Sequence, residues 1–239
     1  MTLKINGLYK QYGGRPVVNH LSFEVNVGEV VGLLGPNGAG KTTSFYAVVG
    51  IIRPDEGEIS LYGNDISKLP IHERARAGIG YLPQETSIFR RLTVEQNLQL
   101  VQEFQEGTPE SKHQQMEQLL DEFGITRHRH SPAIQLSGGE RRRVEIARAI
   151  AANPKYLLLD EPFTGIDPLA IQDIQKLIVQ LKSRGLGVLL TDHNPKATLS
   201  IVDRAYIIHD GKIIFAGPAK EVAENPLVRE YYLGSDFTL

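Results

Sequence analysis

Residues 35–42 of this chain match the pattern GxxxxGK[ST], a loop that encloses phosphate groups. Its glycines let backbone N–H groups approach phosphate oxygens, and the helix that follows presents its positive N-terminal end. Lys41 can reach the β- and γ-phosphates, and the Thr42 hydroxyl can bind Mg²⁺. We therefore predict a nucleotide site made of Gly35, Pro36, Asn37, Gly38, Ala39, Gly40, Lys41, Thr42 and Thr43.

Two adjacent acids, Asp160 and Glu161, follow the apolar run at residues 156–159. Such a run is typical of a parallel strand buried on both faces, and ligands bind at the carboxyl ends of these strands. We predict that Asp160 holds Mg²⁺ and that Glu161, pointing elsewhere, orients and polarises an attacking water. Adjacent acids alone would more often only end a strand at solvent, so the upstream phosphate loop is what favours catalysis.

A second phosphate-binding design, Leu-Ser-Gly-Gly-Glu, occupies residues 136–140. Ser137 and Glu140 form a capping box, which by itself would indicate a well-capped helix and nothing more. Two glycines weaken a first helical turn, however, and they are useful where a backbone must approach a phosphate. One nucleotide cannot use both designs of one chain. We therefore predict a dimer with ATP bound between two subunits.

Composition narrows the class of protein. The 239 residues are 41% hydrophobic and 23% charged, as in ordinary globular proteins, and a net charge of −2 gives no electrostatic argument for nucleic-acid binding. The absence of cysteine excludes disulfides, thiolate zinc sites and cysteine catalysis. No apolar run reaches the roughly 18 residues of a membrane span, and the polar N-terminus is unlike a signal peptide. We expect membrane association only through partners.

Periodicity predicts the elements that must position these motifs. Strands are expected at residues 3–8, 21–25, 30–34, 58–62, 80–82, 156–159, 187–191, 205–208 and 212–216, the last two as a hairpin. Helices are expected at residues 42–51, 93–103, 108–124, 137–152 and 171–183, with helical turns near 219–224 and 227–232. The chain is thus predicted to be one domain. Its α/β core comprises residues 1–84 and 153–220, its helical subdomain 85–152, and its C-terminal tail 221–239.

Taken together, these motifs resemble the ATP-binding cassette (ABC) ATPases, whose signature is LSGGQ where this chain has LSGGE. Further family elements stand in the expected order over residues 1–220. Tyr12 matches the aromatic residue that stacks on adenine, Gln84 the loop glutamine that touches Mg²⁺, Asp167 the D-loop, and His193 the switch histidine that contacts the γ-phosphate. Each alone is more often structural; the resemblance depends on their order and spacing.

The resemblance implies a P-loop NTPase of the ABC ATPase type, with a parallel-sheet core, antiparallel N-terminal strands and an inserted helical subdomain. It implies ATP and Mg²⁺ as cofactors, and a metal site formed by Thr42, Gln84 and Asp160. It also implies that the signature contacts ATP held by the partner chain, through Ser137, Gly138, Gly139 and Glu140. Two ATP would then lie between two copies, with Glu161 and His193 as the catalytic residues.

Longer segments, such as residues 78–85, 136–149, 161–168 and 232–237, are similar to the lipopolysaccharide-export branch of the family. That similarity implies two copies docked under two transmembrane subunits on the cytoplasmic face of a bacterial inner membrane. The docking surface is predicted to include Phe89, Arg90, Arg91 and Leu92. The alternative interpretation is a core aromatic residue beside a solvated arginine pair.

Several alternatives remain open. The chain could serve a branched-chain amino acid importer, or be a soluble non-transport ABC ATPase, although the second cassette or long insertion usual there is missing. A nucleotide-dependent regulator without turnover is disfavoured by Glu161.

Three weaker sequence features carry more modest expectations. Residues 141–143, three arginines, are expected to form a helix face with salt bridges rather than a lipid site. Residues 127–130, Arg-His-Arg-His, are not expected to bind metal, because the arginines repel cations. The tail, with Tyr231, Tyr232 and Phe237, either caps the core or contacts the partner copy.

Overall fold

The computed structural model describes residues 1–238 and contains two β-sheets. The N-terminal sheet is antiparallel and consists of Thr2–Tyr12 (β1), Arg15–Asn26 (β2), Glu56–Leu61 (β4) and Asn64–Asp65 (β5), in spatial order β2-β1-β4-β5. The antiparallel N-terminal strands are therefore confirmed. The two-residue strand β5 is too short to leave an alternating pattern in the sequence.

The central sheet has six strands. They are Val30–Leu34 (β3), Ile79–Leu82 (β6), Tyr156–Asp160 (β7), Gly187–Thr191 (β8), Arg204–His209 (β9) and Lys212–Pro218 (β10), in spatial order β10-β9-β3-β8-β7-β6. Five of them run parallel, and β10 pairs antiparallel with β9, as the predicted hairpin requires. Strands β3, β7 and β8 lie side by side, so their carboxyl ends meet at one edge.

Both faces of the central sheet are buried, which explains why its strands are continuous apolar runs. In β7, Leu157 and Leu159 belong to one apolar cluster, whereas Tyr156 and Leu158 belong to another. The second cluster also contains Leu3 of β1 and residues of the helix Lys41–Val49 (α1). The predicted burial of β7 on both faces is confirmed, because helices cover one face and α1 and the N-terminal sheet cover the other.

Helices predominate between β6 and β7. Val94–Gln102 (α3), Pro109–Glu122 (α4) and Gly138–Ala151 (α5) agree with three predicted helices, and short 3₁₀ turns occupy Thr126–His128 and Ala133–Gln135. The capping box before α3 is confirmed: Gln96 N donates to Thr93 Oγ1 over 3.1 Å, and Thr93 N donates to Gln96 Oε1 over 2.9 Å. Apolar side chains of all three helices join the same cluster as Leu157.

The remaining helices are Ile71–Arg76 (α2), Pro168–Ser183 (α6), Pro195–Leu199 (α7), Ala219–Glu224 (α8) and Pro226–Val228 (α9), followed by a π-helical turn at Arg229–Leu233. Helix α6 begins earlier than predicted because the Asp167 side chain caps it, accepting from Ala170 N over 3.0 Å. In the tail, Tyr232 and Phe237 pack against the core, so the structure supports the capping alternative. Within residues 1–238, no helix has the length and apolarity of a membrane span.

Candidate active site

The phosphate loop connects β3 to α1 and depends on glycine at two crowded positions. Gly35 has φ +152° and Gly40 has φ +101°, in the region that side chains rarely adopt. A Cβ at Gly35 would lie 2.1 Å from Ile208 O, and one at Gly40 would lie 2.4 Å from Val17 O. The chain's own packing therefore requires both glycines, in addition to any demand made by a ligand.

Lys41 folds back over this loop. Its Nζ donates to Gly35 O over 2.8 Å and to Pro36 O over 2.9 Å, and the residue is only 6% exposed. Burial lowers the pKa of Lys41, while the charges of Glu161 and Asp160 oppose that change. The ammonium is thus held within the loop, close to both acids.

An open cleft of about 250 Å³ lies above the loop. Side chains or backbone from the ends of β3, β7 and β8 meet there, because parallel neighbours end at one edge. The lining residues are Val17, Asn37, Gly38, Gly40, Lys41, Thr42, Thr43, Glu161 and His193. All of these except Val17, which comes from the distant strand β2, were predicted from the sequence. The fold therefore brings the predicted phosphate loop, acid and histidine together.

Glu161 is buried and its carboxylate is already engaged. His193 Nε2 lies 2.5 Å from Oε1, Gln84 Nε2 donates to Oε2 over 2.6 Å, and Thr164 Oγ1 donates to Oε2 over 3.0 Å. Its backbone has φ +49°, which costs a non-glycine residue roughly 1–3 kcal/mol. That left-handed turn directs Glu161 away from the strand course that Asp160 follows.

Asp160 is 1% exposed, and its Oδ1 has no hydrogen-bond partner within residues 1–238. Burial and the neighbouring charge of Glu161 raise the pKa of Asp160 to about 6, against lowering contributions from Tyr81, Arg142 and Lys41. An unpartnered buried carboxylate oxygen suits a hard cation such as Mg²⁺. In the described part of the chain, no three acidic or histidine side chains form a metal cluster, so such an ion would depend on ligand and water oxygens as well.

The signature loop lies outside the cleft, with Ser137 and Gly138 exposed. Its predicted capping box is confirmed, since Glu140 N donates to Ser137 Oγ over 3.3 Å and Ser137 N donates to Glu140 Oε2 over 3.0 Å. Gly139 is buried instead, and a Cβ there would lie 2.6 Å from Ala170 Cβ. The second glycine therefore has a reason within this chain, the close packing of α5 on α6.

Comparison with known proteins agrees with this geometry. A family model described as ABC transporter matches residues 18–164. The chain belongs to that family. The lipopolysaccharide export system ATP-binding protein LptB of Haemophilus influenzae is 55% identical over 238 residues, which cover 99% of each chain. This ABC ATPase therefore binds and hydrolyses ATP, and the resemblance found in its motifs is confirmed.

Solved structures give the same fold. A nucleotide-free ATP-binding cassette from an ABC transporter has a TM-score of 0.88 and 29% identity, covering 98% of this chain and 100% of that one. A dimeric cassette in a post-hydrolysis state, bound to ADP and Pi, has a TM-score of 0.80 and 25% identity, covering 92% of this chain and 99% of that one. The predicted fold class of this ABC ATPase is thus confirmed.

Two further predicted residues lie near the surface. Tyr12, at the end of β1, is 51% exposed, and Lys10 Nζ lies 5.5 Å from the centre of its ring. An exposed ring face is available for stacking. Asp167 is exposed at the start of α6 and caps that helix. Neither residue lines the cleft in this ABC ATPase, so their expected nucleotide roles stay predictions.

Arg142 has a role beyond the predicted salt-bridged helix face. The predicted salt bridge is present, since Arg142 Nη1 lies 3.1 Å from Glu145 Oε2, but the residue is 5% exposed and also donates to the carbonyls of Asp160 over 3.2 Å and Glu161 over 3.4 Å. Its burial places the guanidinium at the carboxyl end of β7, where Asp160 ends the strand and Glu161 begins the following turn. The burial of Arg142 could have been predicted from its position four residues before Ile146, which places it on the apolar face of α5. Arg143 fits the prediction, pairing with Asp173 at 2.6 Å.

Asp192 was passed over altogether. It is 2% exposed, accepts from Phe163 N and Asn194 N, each over 2.9 Å, and so ties the turn after β7 to the turn after β8. Burial raises the pKa of Asp192, and these two N–H groups oppose the increase. It stands directly before His193, whose position it helps to determine.

Proposed function

We propose that this ABC ATPase is the motor subunit of a lipopolysaccharide exporter, in which ATP hydrolysis extracts the lipid from the inner membrane for transport to the outer membrane. The observation that carries this proposal is the 55% identity to LptB over 99% of both chains. No comparable observation favours an amino acid importer or a non-transport ATPase. Two copies would work beneath two transmembrane subunits, on the cytoplasmic face of a Gram-negative inner membrane.

The proposed hydrolysis uses the cleft. Lys41 and the loop amides bind the phosphates, Tyr12 stacks on adenine, and His193 contacts the γ-phosphate. Glu161 polarises the attacking water. In the free chain, Gln84 and His193 occupy the Glu161 carboxylate, so the proposal requires these contacts to rearrange before the base can act. Glu161 is therefore inactive until nucleotide and partner are in place.

Mg²⁺ is proposed at Thr42, Asp160 and Gln84, where it would neutralise charge on the transferring phosphoryl group. The unpartnered Asp160 Oδ1 and the position of Thr42 in the cleft wall support this assignment. Asp160 would enter such a site ionised, which its raised pKa makes dependent on pH.

The partner across ATP is proposed to be a second copy. Ser137 and Gly138 are exposed and lie outside their own cleft, which suits a surface that completes another chain's site. The similar cassette that forms a dimer with ADP and Pi supports the same arrangement. Asp167, exposed beside the signature loop, would lie in this interface.

Docking to the transmembrane subunits is proposed at residues 89–92 and the groove beside them. Phe89 is 52% exposed, with the Arg148 guanidinium 5.3 Å from its ring centre. The buried Asn97 fixes the Phe89 backbone, accepting from its N–H over 2.9 Å and donating to its carbonyl over 3.1 Å. The groove, of about 390 Å³, is mostly apolar and lies between α2, β6 and α5. An exposed ring on a fixed backbone, beside an apolar groove, suits a partner helix.

This loop also contacts the segment before the signature. Ala133 N donates to Leu92 O and Ile134 N to Arg90 O, each over 2.9 Å. A partner that moves residues 90–92 would therefore displace the backbone leading into Ser137. This contact supports a route from the membrane subunits to the ATP interface.

Co-purification tests the proposal. The chain would be co-expressed with the transmembrane pair of a lipopolysaccharide exporter and, separately, with that of a branched-chain amino acid importer. We expect a stable complex and stimulated ATPase activity only with the first pair. Phe89→Ala should impair assembly while sparing the ATPase of the isolated chain, and Phe104→Ala, at an 82% exposed aromatic outside the groove, should change neither. Assembly only with the importer pair would refute the substrate class.

A further inference from the structure

Glu140 places a full negative charge in the signature turn. Its Oε2 accepts from Ser137 N over 3.0 Å and from Ser137 Oγ over 2.8 Å. Its Oε1 lies 2.7 Å from Arg127 Nη2 and 2.8 Å from His128 Nε2. One oxygen of the Glu140 carboxylate, Oε2, thus holds Ser137, and the other, Oε1, contacts Arg127 and His128.

These contacts keep Glu140 ionised. Burial would raise its pKa, but the Ser137 and Arg127 hydrogen bonds and the nearby charge of His128 lower the pKa of Glu140 to about 2. His128 Nε2 also lies 2.8 Å from Arg127 Nε. A protonated Nε2 donates to the Glu140 carboxylate, whereas an unprotonated one accepts from Arg127 Nε, so each form of the imidazole makes one of these two hydrogen bonds.

The serine hydroxyl has only one proton. In this structure Ser137 Oγ donates it to Glu140 Oε2 while accepting from Glu140 N. A phosphate oxygen brought to Ser137 would need the same proton, and it would meet a carboxylate of like charge. Glu140 therefore competes with the nucleotide for the Ser137 proton. Its carboxylate also repels the phosphate unless the charge of Glu140 is compensated.

We propose that Arg127 and His128 are positioning residues that neutralise Glu140, so that Ser137 can transfer its hydrogen bond to the ATP held by the partner chain. This inference rests on the proposed function, in which the signature faces the partner's nucleotide. Arg127 is suited to the role because its side chain is 75% exposed and can follow the carboxylate as the dimer closes. The positive charge of Arg127 and His128 offsets the negative charge of Glu140, so the acidic signature turn presents the partner's ATP with the electrostatics of a neutral turn.

The chain offers matched controls. Arg129 and His130 belong to the same tetrapeptide, but Arg129 pairs with Glu95 and Glu117, and His130 lies 3.5 Å from Glu95. Neither contacts Glu140. Removing Arg127 and His128 together should weaken the ATP-dependent association of two chains, whereas removing Arg129 and His130 should not. The deciding variant is Glu140→Gln, which deletes the charge that the pair is proposed to compensate.

The experiment measures ATP-dependent dimerisation of the full chain by analytical ultracentrifugation, in a Glu161→Gln background that prevents turnover. We expect Arg127→Gln with His128→Leu to raise the ATP concentration for half-maximal dimer by about tenfold at low salt, and by less at high salt. Adding Glu140→Gln should restore the parent value to within about twofold. Binding of ATP to the monomer and the melting temperature, measured alongside, should stay unchanged.

Two results would overturn the inference. The double variant could dimerise like its parent, or Glu140→Gln could fail to rescue it. Ser137→Arg separates this failure from failure of the proposed function. If Ser137→Arg blocks dimerisation while Arg127 and His128 prove dispensable, only the neutralising role is wrong. If Ser137→Arg dimerises normally, the signature does not face the partner's nucleotide and both proposals fall.

Discussion

The phosphate loop and the signature turn are two phosphate-binding designs built in opposite ways. Lys41 is 6% exposed and satisfied by its own loop, in a cleft that unites the ends of three neighbouring strands. Ser137 is exposed and held by one capping box at the end of one helix. Long-range packing maintains the first design, whereas the serine of the second is itself held by hydrogen bonds within three residues.

Because of this difference, substitutions in the two regions should have two different kinds of effect. Changes in the cleft should affect the chemistry or the fold of the single chain, because the groups there are buried among strands. Changes at the exposed face of the signature should leave the single chain intact and act only when two chains meet.

The largest effect is expected in the cleft. Glu161→Gln should reduce ATP turnover by about a hundredfold or more, because an amide cannot accept a proton from the attacking water. ATP binding should persist, and an ATP-bound dimer should accumulate. Phosphate release and gel filtration with ATP measure the two effects, with Glu85→Gln, at an exposed acid nearby, as the control. Normal turnover by Glu161→Gln would exclude Glu161 as the base.

At the signature, Ser137→Arg should reduce turnover by at least about tenfold, since a bulky cation replaces the hydroxyl that is proposed to meet the partner's nucleotide. Binding of ATP to the monomer should not change, because Ser137 lies outside its own cleft. A fluorescent nucleotide titration and a turnover assay distinguish the two, with Ser183→Arg at the exposed end of α6 as the control. Weaker monomer binding would contradict the comparison.

Asp160 gives the cleft a pH dependence. Its folded pKa of about 6 exceeds that of the unfolded chain, so the folded state binds the proton more tightly, and stability is lost as pH rises through about 4 to 6. Asp160→Asn should remove about 3 kcal/mol of this dependence over the whole range, of which roughly half falls above pH 5. Thermal melts without nucleotide should fall less between pH 5 and 7.5 for the variant than for the parent. Parallel curves would refute the assignment.

The smallest effect divides the two signature glycines. Gly139→Ala should destabilise the chain by about 1–3 kcal/mol, since its Cβ would lie 2.6 Å from Ala170 Cβ. Gly138→Ala should leave stability nearly unchanged, because the nearest atom to its Cβ, Gly165 O, would be 3.5 Å away. Denaturant unfolding measures both. Equal losses of stability in the two variants would mean that Gly138 is as closely packed as Gly139, and the signature turn would then be no more exposed than the cleft.

Prediction from sequence succeeded where the signal was local. The loop at residues 35–42, the capping boxes at Thr93 and Ser137, and the apolar run of β7 each depend on neighbours within a few positions. Helices α2 and α7 were missed because six and five residues are too few for a 3.6-residue period. The role of Arg142 was missed because its acceptors lie 18 and more residues away in sequence.

The sequence by itself determined that this chain carries two phosphate-binding designs, since a glycine pattern and a capping box are properties of short segments. Only the tertiary structure decided which side chains surround them. It brought Gln84 and His193 onto Glu161, and it set Arg127 and His128 against Glu140. Such contacts depend on how distant elements pack, because burial and ion pairing join residues that share space rather than sequence.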